Sequence, residues 1–345
     1  MSVVESALGP VDVRDLGTIS AHEHLFINLM RERRGDGLLN DPALMAAELA
    51  RFAAQGGGTI FDLTTAELTA GSTVDADPAF TGTAPGQTRA PRNIAAVQEV
   101  SAATGVTVLL GTGHYRDPYL DPDAINRTSV QQLAEEMVRD LTEGFPDTSA
   151  KAALIGEIGA DAWYVSALEE RVHRAAARAH VVTGAAIYTH SARWRVGLEQ
   201  VAILLEAGVD PARIAVGHVD TVPDDGHDDG NDDGYAIALA RRGVHVGFDT
   251  LSSFPRHLLA PIADRVVAVA RAGFLDRILL GHDVCTHSEL VAGGGTGFTT
   301  VLGAFRDLLR ERGVDDGEFR QLVEVNPVTF LGHGCHDRRD PGRTH

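Results

Sequence analysis

Eight times along its 345 residues the chain passes from a short apolar run into an amphipathic stretch. The runs are residues 17–25, 59–65, 107–115, 152–160, 185–191, 214–220, 245–250 and 278–284. Each is continuous and bounded by Gly, Asp or Pro, the pattern of a parallel strand buried on both faces. Between the runs lie helical patterns. Asp41 and Pro42 read as the N-cap and first residue of a helix through Ala53. Residues 169–183, 198–207 and 263–272 read as further helices, with Gly208, Gly243 and Gly273 as left-handed stops. Strand–helix alternation repeated eight times predicts an α/β fold of the (β/α)8 TIM-barrel type. The competitor is an open doubly wound sheet. It usually has fewer strands and often a Gly-rich first turn, and no GxGxxG follows any early run. A single domain over 1–345 is expected, with the barrel proper at about 17–331.

Two stretches break the rhythm. Residues 67–91 are rich in Thr, Gly, Ala and Pro and lack an apolar period, which predicts a long loop after the second strand. Residues 224–234, DDGHDDGNDDG, lack the spacing and terminal Glu of an EF-hand and read as a solvated insertion. A net charge of −18 argues against binding a phosphate backbone, which relies on clustered Lys and Arg. No apolar run approaches the ~18 residues of a membrane span. Residues 1–10 lack the basic and apolar regions of a secretory signal, so a cytoplasmic location is expected. Cys285 and Cys335 are too few for a disulfide framework.

The chemistry-bearing residues sit where the predicted strands end. His22 and His24 close the first run, Glu157 the fourth, His190 the fifth, His218 the sixth and Asp283 the eighth. In a barrel these ends converge on one face. Alternation along a strand points His22 and His24 the same way. Four histidines and two carboxylates exceed the needs of one tetrahedral ion and suit two divalent metals bridged by a carboxylate. A lone strand-end histidine more often makes a hydrogen bond at the surface, and His114, His245, His257, His282 and His287 are read that way. Glu157 or Asp283 alone would read as a helix cap or an ion-pair partner; the ordered set resists that reading.

The same order resembles the phosphotriesterase family of the amidohydrolase superfamily. The resemblance runs from about Leu8 to Leu331 and includes AHEHL (21–25), GTGHY (111–115), THS (189–191), GHVD (217–220), GFDT (247–250), HDVC (282–285), GGGTGF (293–298) and VNP (325–327). It implies a distorted, amidohydrolase-like barrel holding two metal ions. Many members bridge those ions with a carbamylated lysine on the fourth strand. Lys151 is the only lysine among 30 basic residues. It lies six residues before Glu157, roughly 20 Å away at about 3.3 Å per residue. Glu157 is therefore the expected bridge, which places the chain beside the glutamate-bridged phosphotriesterase homology proteins. Lactonases of the family tend to carry Arg after the strand-7 Asp; here that position is Thr250.

The ligand set then implies a mechanism. His22, His24, Glu157 and Asp283 would hold the more buried ion, and Glu157, His190 and His218 the more exposed one. Zinc is expected first, with manganese, cobalt or iron as alternatives. A hydroxide between the ions would attack a carboxylic ester, lactone or amide, with Asp283 as the proton-accepting catalytic residue. The alternatives are a phosphotriester or phosphoester hydrolase proper, and a metal-containing binding protein without catalysis. Tyr115, Arg116, Arg193 and Arg256 are the candidate substrate contacts, since converging arginines suit an anionic substrate. Arg195 and Trp194 lie in the same loops, Trp194 as either an apolar wall or a helix cover. The expected partners are a small-molecule substrate and a second copy of the chain in a homodimer, with no nucleic acid and no membrane.

Overall fold

The computed structural model describes residues 2–69, 86–223 and 234–333, without the side chain of Arg256. Eight parallel strands form one sheet: β1 Thr18–Glu23, β2 Gly57–Asp62, β3 Thr107–Thr112, β4 Leu154–Gly159, β5 Ile187–His190, β6 Ile214–Gly217, β7 His245–Phe248 and β8 Ile278–Leu280. They are hydrogen-bonded in sequence order from β1 to β8, and the sheet curls until β8 lies against β1. The expected (β/α)8 barrel is therefore present. Its hydrogen-bonded strands are shorter than the apolar runs, because the last residues of most runs leave the ladder to build the mouth.

Helices follow from local signals. Asp41 accepts from the amides of Ala43 (2.9 Å) and Leu44 (3.1 Å), opening the helix Pro42–Ala54. The helix Ala167–Thr183 starts two residues earlier than its periodicity predicts, because Ser166 and Glu169 form a capping box. The helix Arg256–Val269 starts seven residues before the apolar pattern does. Gly208, Gly243 and Gly273 take φ of 91°, 86° and 94°, as their expected stop roles require.

Inside the barrel Ile19, Phe61, Leu109, Leu154, Tyr188, Ala215 and Leu279 pack as one cluster. Val4 and Val13 from the N-terminal segment and Phe330 from the helix Asn326–Phe330 belong to the same cluster. The barrel floor is thus plugged by the N-terminal segment and the helix Asn326–Phe330, leaving the other mouth for chemistry. Lys151 precedes β4 on the floor side and faces Glu5 at 3.8 Å. The segment 67–91 has a 3-10 turn at Ala66–Leu68; its residues 70–85, and the acidic stretch 224–233, lie outside the described residues. Among the described residues no helix is long and apolar enough to cross a membrane.

Candidate metal centre

Glu157 occupies the middle of the mouth and is nearly inaccessible to solvent. Close approach of backbones puts it there: a Cβ on Gly111 would collide with the Gly156 carbonyl oxygen. One carboxylate oxygen of Glu157 lies 3.5 Å from His24 Nε2. The other lies 3.4 Å from His22 Nε2, 3.1 Å from His190 Nδ1 and 3.3 Å from His218 Nε2. Asp283 Oδ1 lies 3.2 Å from His24 Nε2 and 3.7 Å from His22 Nε2. All six residues singled out in the sequence therefore meet. His218 and Asp283 sit just past β6 and β8 with φ of 61° and 52°, left-handed conformations that non-glycine residues seldom adopt.

The donor set fits divalent ions. His22, His24 and Asp283 present ligand atoms within 4.8 Å of one another, and so do His22, Glu157 and His218. His22 Nε2 is buried and has no hydrogen-bond partner among the described residues. A buried nitrogen without a partner is costly unless something else accepts its lone pair. The far sides of the rings are tethered outward. His24 Nδ1 lies 3.0 Å from Thr64 Oγ1, and His22 Nδ1 and His218 Nδ1 lie 3.1 and 3.0 Å from the two oxygens of Asp249. That outer support fixes which ring nitrogen faces the centre.

The imidazoles and carboxylates of the cluster shift one another's protonation. Burial opposes charge on His24, but hydrogen bonds to Asp283 and Glu157 outweigh it and push its pKa up to about 10. Burial pushes His190 down to about 4 against the pull of Glu157. Burial also resists charge on Glu157 and Asp249, yet the facing imidazoles hold both carboxyls well below the usual range.

Above the cluster opens a cavity of about 750 Å³, lined by Glu157, His190, His218 and Asp283 at its base. Tyr115 is buried in its wall, with its hydroxyl 3.2 Å from His190 Nδ1. Arg116 lines the cavity too, but its guanidinium stacks 4.9 Å over Tyr115 and is ion-paired with Glu32 (2.5 Å) and with Asp161. Arg193 lines the cavity from an exposed position. Arg256 opens the helix Arg256–Val269, and its side chain is outside the described residues. Arg195 instead lies 5.5 Å over the Tyr235 ring, and Trp194 is exposed.

Several residues carry more than their pattern suggested. Asp249, within the GFDT motif, holds two of the histidines, and the signal was an acid at the end of the one late strand without an assigned ligand. Three histidines read as surface hydrogen-bonders are corrected by burial. His245 and His282 are fully enclosed, and His114 is buried between Glu67 at 2.7 Å and Glu136 at 3.3 Å. Single-residue reading cannot see the carboxylates that other elements bring to His114 and His282.

A (β/α)8 barrel with a histidine–carboxylate cluster at its open mouth defines a class, the metal-dependent hydrolases. The family model of the phosphotriesterase family matches residues 2–74 and 85–331. The chain belongs to that family. It is 31% identical over 319 residues to the phosphotriesterase homology protein of Escherichia coli, covering 91% of this chain and 98% of that one. A crystal structure of the E. coli protein, with phosphate in its active site, superposes with a TM-score of 0.77 at 29% identity, covering 93% of this chain and all of that one. The N-acetyltaurine hydrolase of Danio rerio is 25% identical over 341 residues, covering 94% and 86% of the two chains.

Proposed function

We propose that the chain hydrolyses a carboxylic ester, lactone or amide at a centre of two divalent ions, zinc first among them. His22, His24, Glu157 and Asp283 would hold one ion, and Glu157, His190 and His218 the other. The observation that carries this reading is the convergence of four imidazoles on the buried Glu157 carboxylate, with Asp283 beside two of them and one histidine nitrogen, His22 Nε2, without a hydrogen-bond partner among the described residues. Divalent ions bound there would lower the pKa of water toward neutrality and polarise the scissile carbonyl.

The chain's own residues supply the rest. Asp283 is the more open of the two central carboxylates, with its side chain 16% exposed beneath the cavity. It can take the proton of the attacking water and return it to the leaving group. Asp249 keeps His22 and His218 oriented. Tyr115 places a hydroxyl beside His190, where a substrate oxygen would sit. Arg116 is already neutralised by Glu32 and Asp161, so it shapes the wall, and Arg193 is an exposed lining arginine, as is Arg33, open to an anionic part of the substrate. An amide substrate is favoured by the relative named for N-acetyltaurine hydrolysis. A phosphoester is the second reading, favoured by the phosphate in the active site of the E. coli relative.

The test is a screen of zinc- and cobalt-reconstituted protein over lactones, N-acyl amides and phosphotriesters, beside Glu157→Ala. Turnover on a carboxylic substrate that Glu157→Ala abolishes is expected. Metal-loaded protein inert on every class would leave a binding protein instead.

A further inference from the structure

The barrel is least secured where β8 meets β1. Among the described residues no ladder pairing joins these two strands. Only the amides of His282 (3.3 Å) and Asp283 (3.1 Å) reach across, both to the carbonyl of His22. The seam is instead fastened on its outer face by side chains, Glu23 foremost, with Ser20 Oγ also 3.1 Å from His282 Nδ1. Glu23 stands between His22 and His24, and alternation turns it away from the mouth while they turn in. Its Oε1 accepts the backbone amide of His282 at 3.0 Å, the ring Nδ1–H of His282 at 2.5 Å and the hydroxyl of Ser20. Its Oε2 accepts the amide of Val284 at 3.5 Å. The ring of His282 is gripped at the other end too: the Val301 amide donates to Nε2 at 3.1 Å. That contact fixes the tautomer, with the proton on Nδ1 and aimed at Glu23. Glu23 and His282 are both fully buried.

Both members of this pair abut candidate ligands in the chain. Glu23 separates His22 from His24, and His282 immediately precedes Asp283, whose backbone sits at φ 52° outside any ladder. We infer that Glu23 and His282 are a positioning pair that holds Asp283 against His22 and His24. The inference rests on the two-ion reading above, and it makes an asymmetric demand. The pair spans the β1–β8 seam alone. Loosening it should weaken the ion held by His22, His24 and Asp283, and spare the ion held by Glu157, His190 and His218, whose elements are paired by ladders from β4 to β6.

The experiment is a cobalt titration of the full chain against a competing chelator, read by metal content and by the visible absorption of bound cobalt, with thermal melting of the metal-free protein in parallel. Wild type is expected to take two ions. His282→Leu keeps the bulk but removes both hydrogen bonds; it should keep one ion and bind the other roughly ten- to a hundred-fold more weakly. His282→Asn can still donate to Glu23 and should recover most of that loss. Glu23→Gln, which keeps the side-chain shape, should shift the same ion in the same direction, and it carries the test if His282→Leu fails to fold. Lower melting temperatures with both affinities unchanged would show a merely structural seam and overturn the inference. Equal weakening of both ions would overturn it as well. Wild type that takes no cobalt would instead sink the metal reading on which it rests.

Discussion

Asp249 gathers four donors onto one carboxylate. Oδ1 takes the ring Nδ1 (3.0 Å) and the backbone amide (2.7 Å) of His218; Oδ2 takes His22 Nδ1 (3.1 Å) and the Tyr188 hydroxyl (2.5 Å). An asparagine has one acceptor oxygen and would turn an NH2 toward two of those donors. Asp249→Asn should therefore lower affinity for both ions by roughly ten- to a hundred-fold, measured by chelator competition. Unchanged affinity would mean that the imidazoles are held by packing alone. Asp283 makes a different demand. Asp283→Asn keeps a carbonyl that can face a metal but is no base at neutral pH. Its kcat should fall by about a hundred- to ten-thousand-fold while most of the metal stays. A near-wild-type rate in single-turnover measurements would move the proton role elsewhere. At this scale the six converging residues were legible because each ends an apolar run. Asp249 and Glu23 were not, because the partners that give them meaning arrive from other strands.

Strands and helices also bury histidines far from the mouth, and these bear on stability. His245 begins β7 at the floor end, and neither ring nitrogen makes a hydrogen bond of ordinary geometry. Burial pushes its pKa down to about 3. His173, within the helix Ala167–Thr183, donates Nδ1–H to the Glu169 carbonyl at 2.8 Å, and burial pushes it down to about 4. Both values lie below the ~6.5 of an unfolded chain, so the folded protein binds fewer protons than the unfolded one in acid. Stability contributed by the two neutral rings is complete above about pH 6.5 and is lost as pH falls toward the folded values. The decline approaches about 1.4 kcal/mol per pH unit for each histidine. His245→Leu removes one of these groups together with its unpaired nitrogens. Its melting temperature should fall less steeply than wild type between pH 7 and pH 5; parallel slopes would exclude His245 as a contributor. Element type was readable from run length and flanking glycines. Element ends were less so. After β8 the chain folds into short turns, Val291–Gly293 and Gly297–Thr299, that have no periodicity of their own. They are held from outside, by Glu48 accepting the amides of Val291 (3.1 Å) and Ala292 (3.0 Å).

For the molecule as a whole, the count of eight runs was enough to name the architecture, because parallel strands joined by helices and closed on themselves leave few alternatives. The floor plug and the weak seam were not foreseen, since both depend on segments far apart in sequence. Together they decide what metal removal should do. Most of the large apolar clusters inside and outside the barrel lie away from the mouth, so the metal-free chain should remain folded. The mouth, however, holds a buried donor, His22 Nε2, with no hydrogen-bond partner among the described residues. An ion that binds only the folded chain stabilises it by mass action, about 4 kcal/mol at a thousand-fold excess over Kd. Chelation should therefore lower the melting temperature by several degrees without changing the far-ultraviolet circular dichroism at 25 °C. Added zinc or cobalt should restore it along a curve that rises with the logarithm of free metal. Glu157→Ala, which removes the carboxylate common to both proposed ions, should flatten that curve. A wild-type melting temperature indifferent to free metal would mean that the cluster satisfies itself with protons alone, and that its histidines and carboxylates are a buried ion network, not a metal centre.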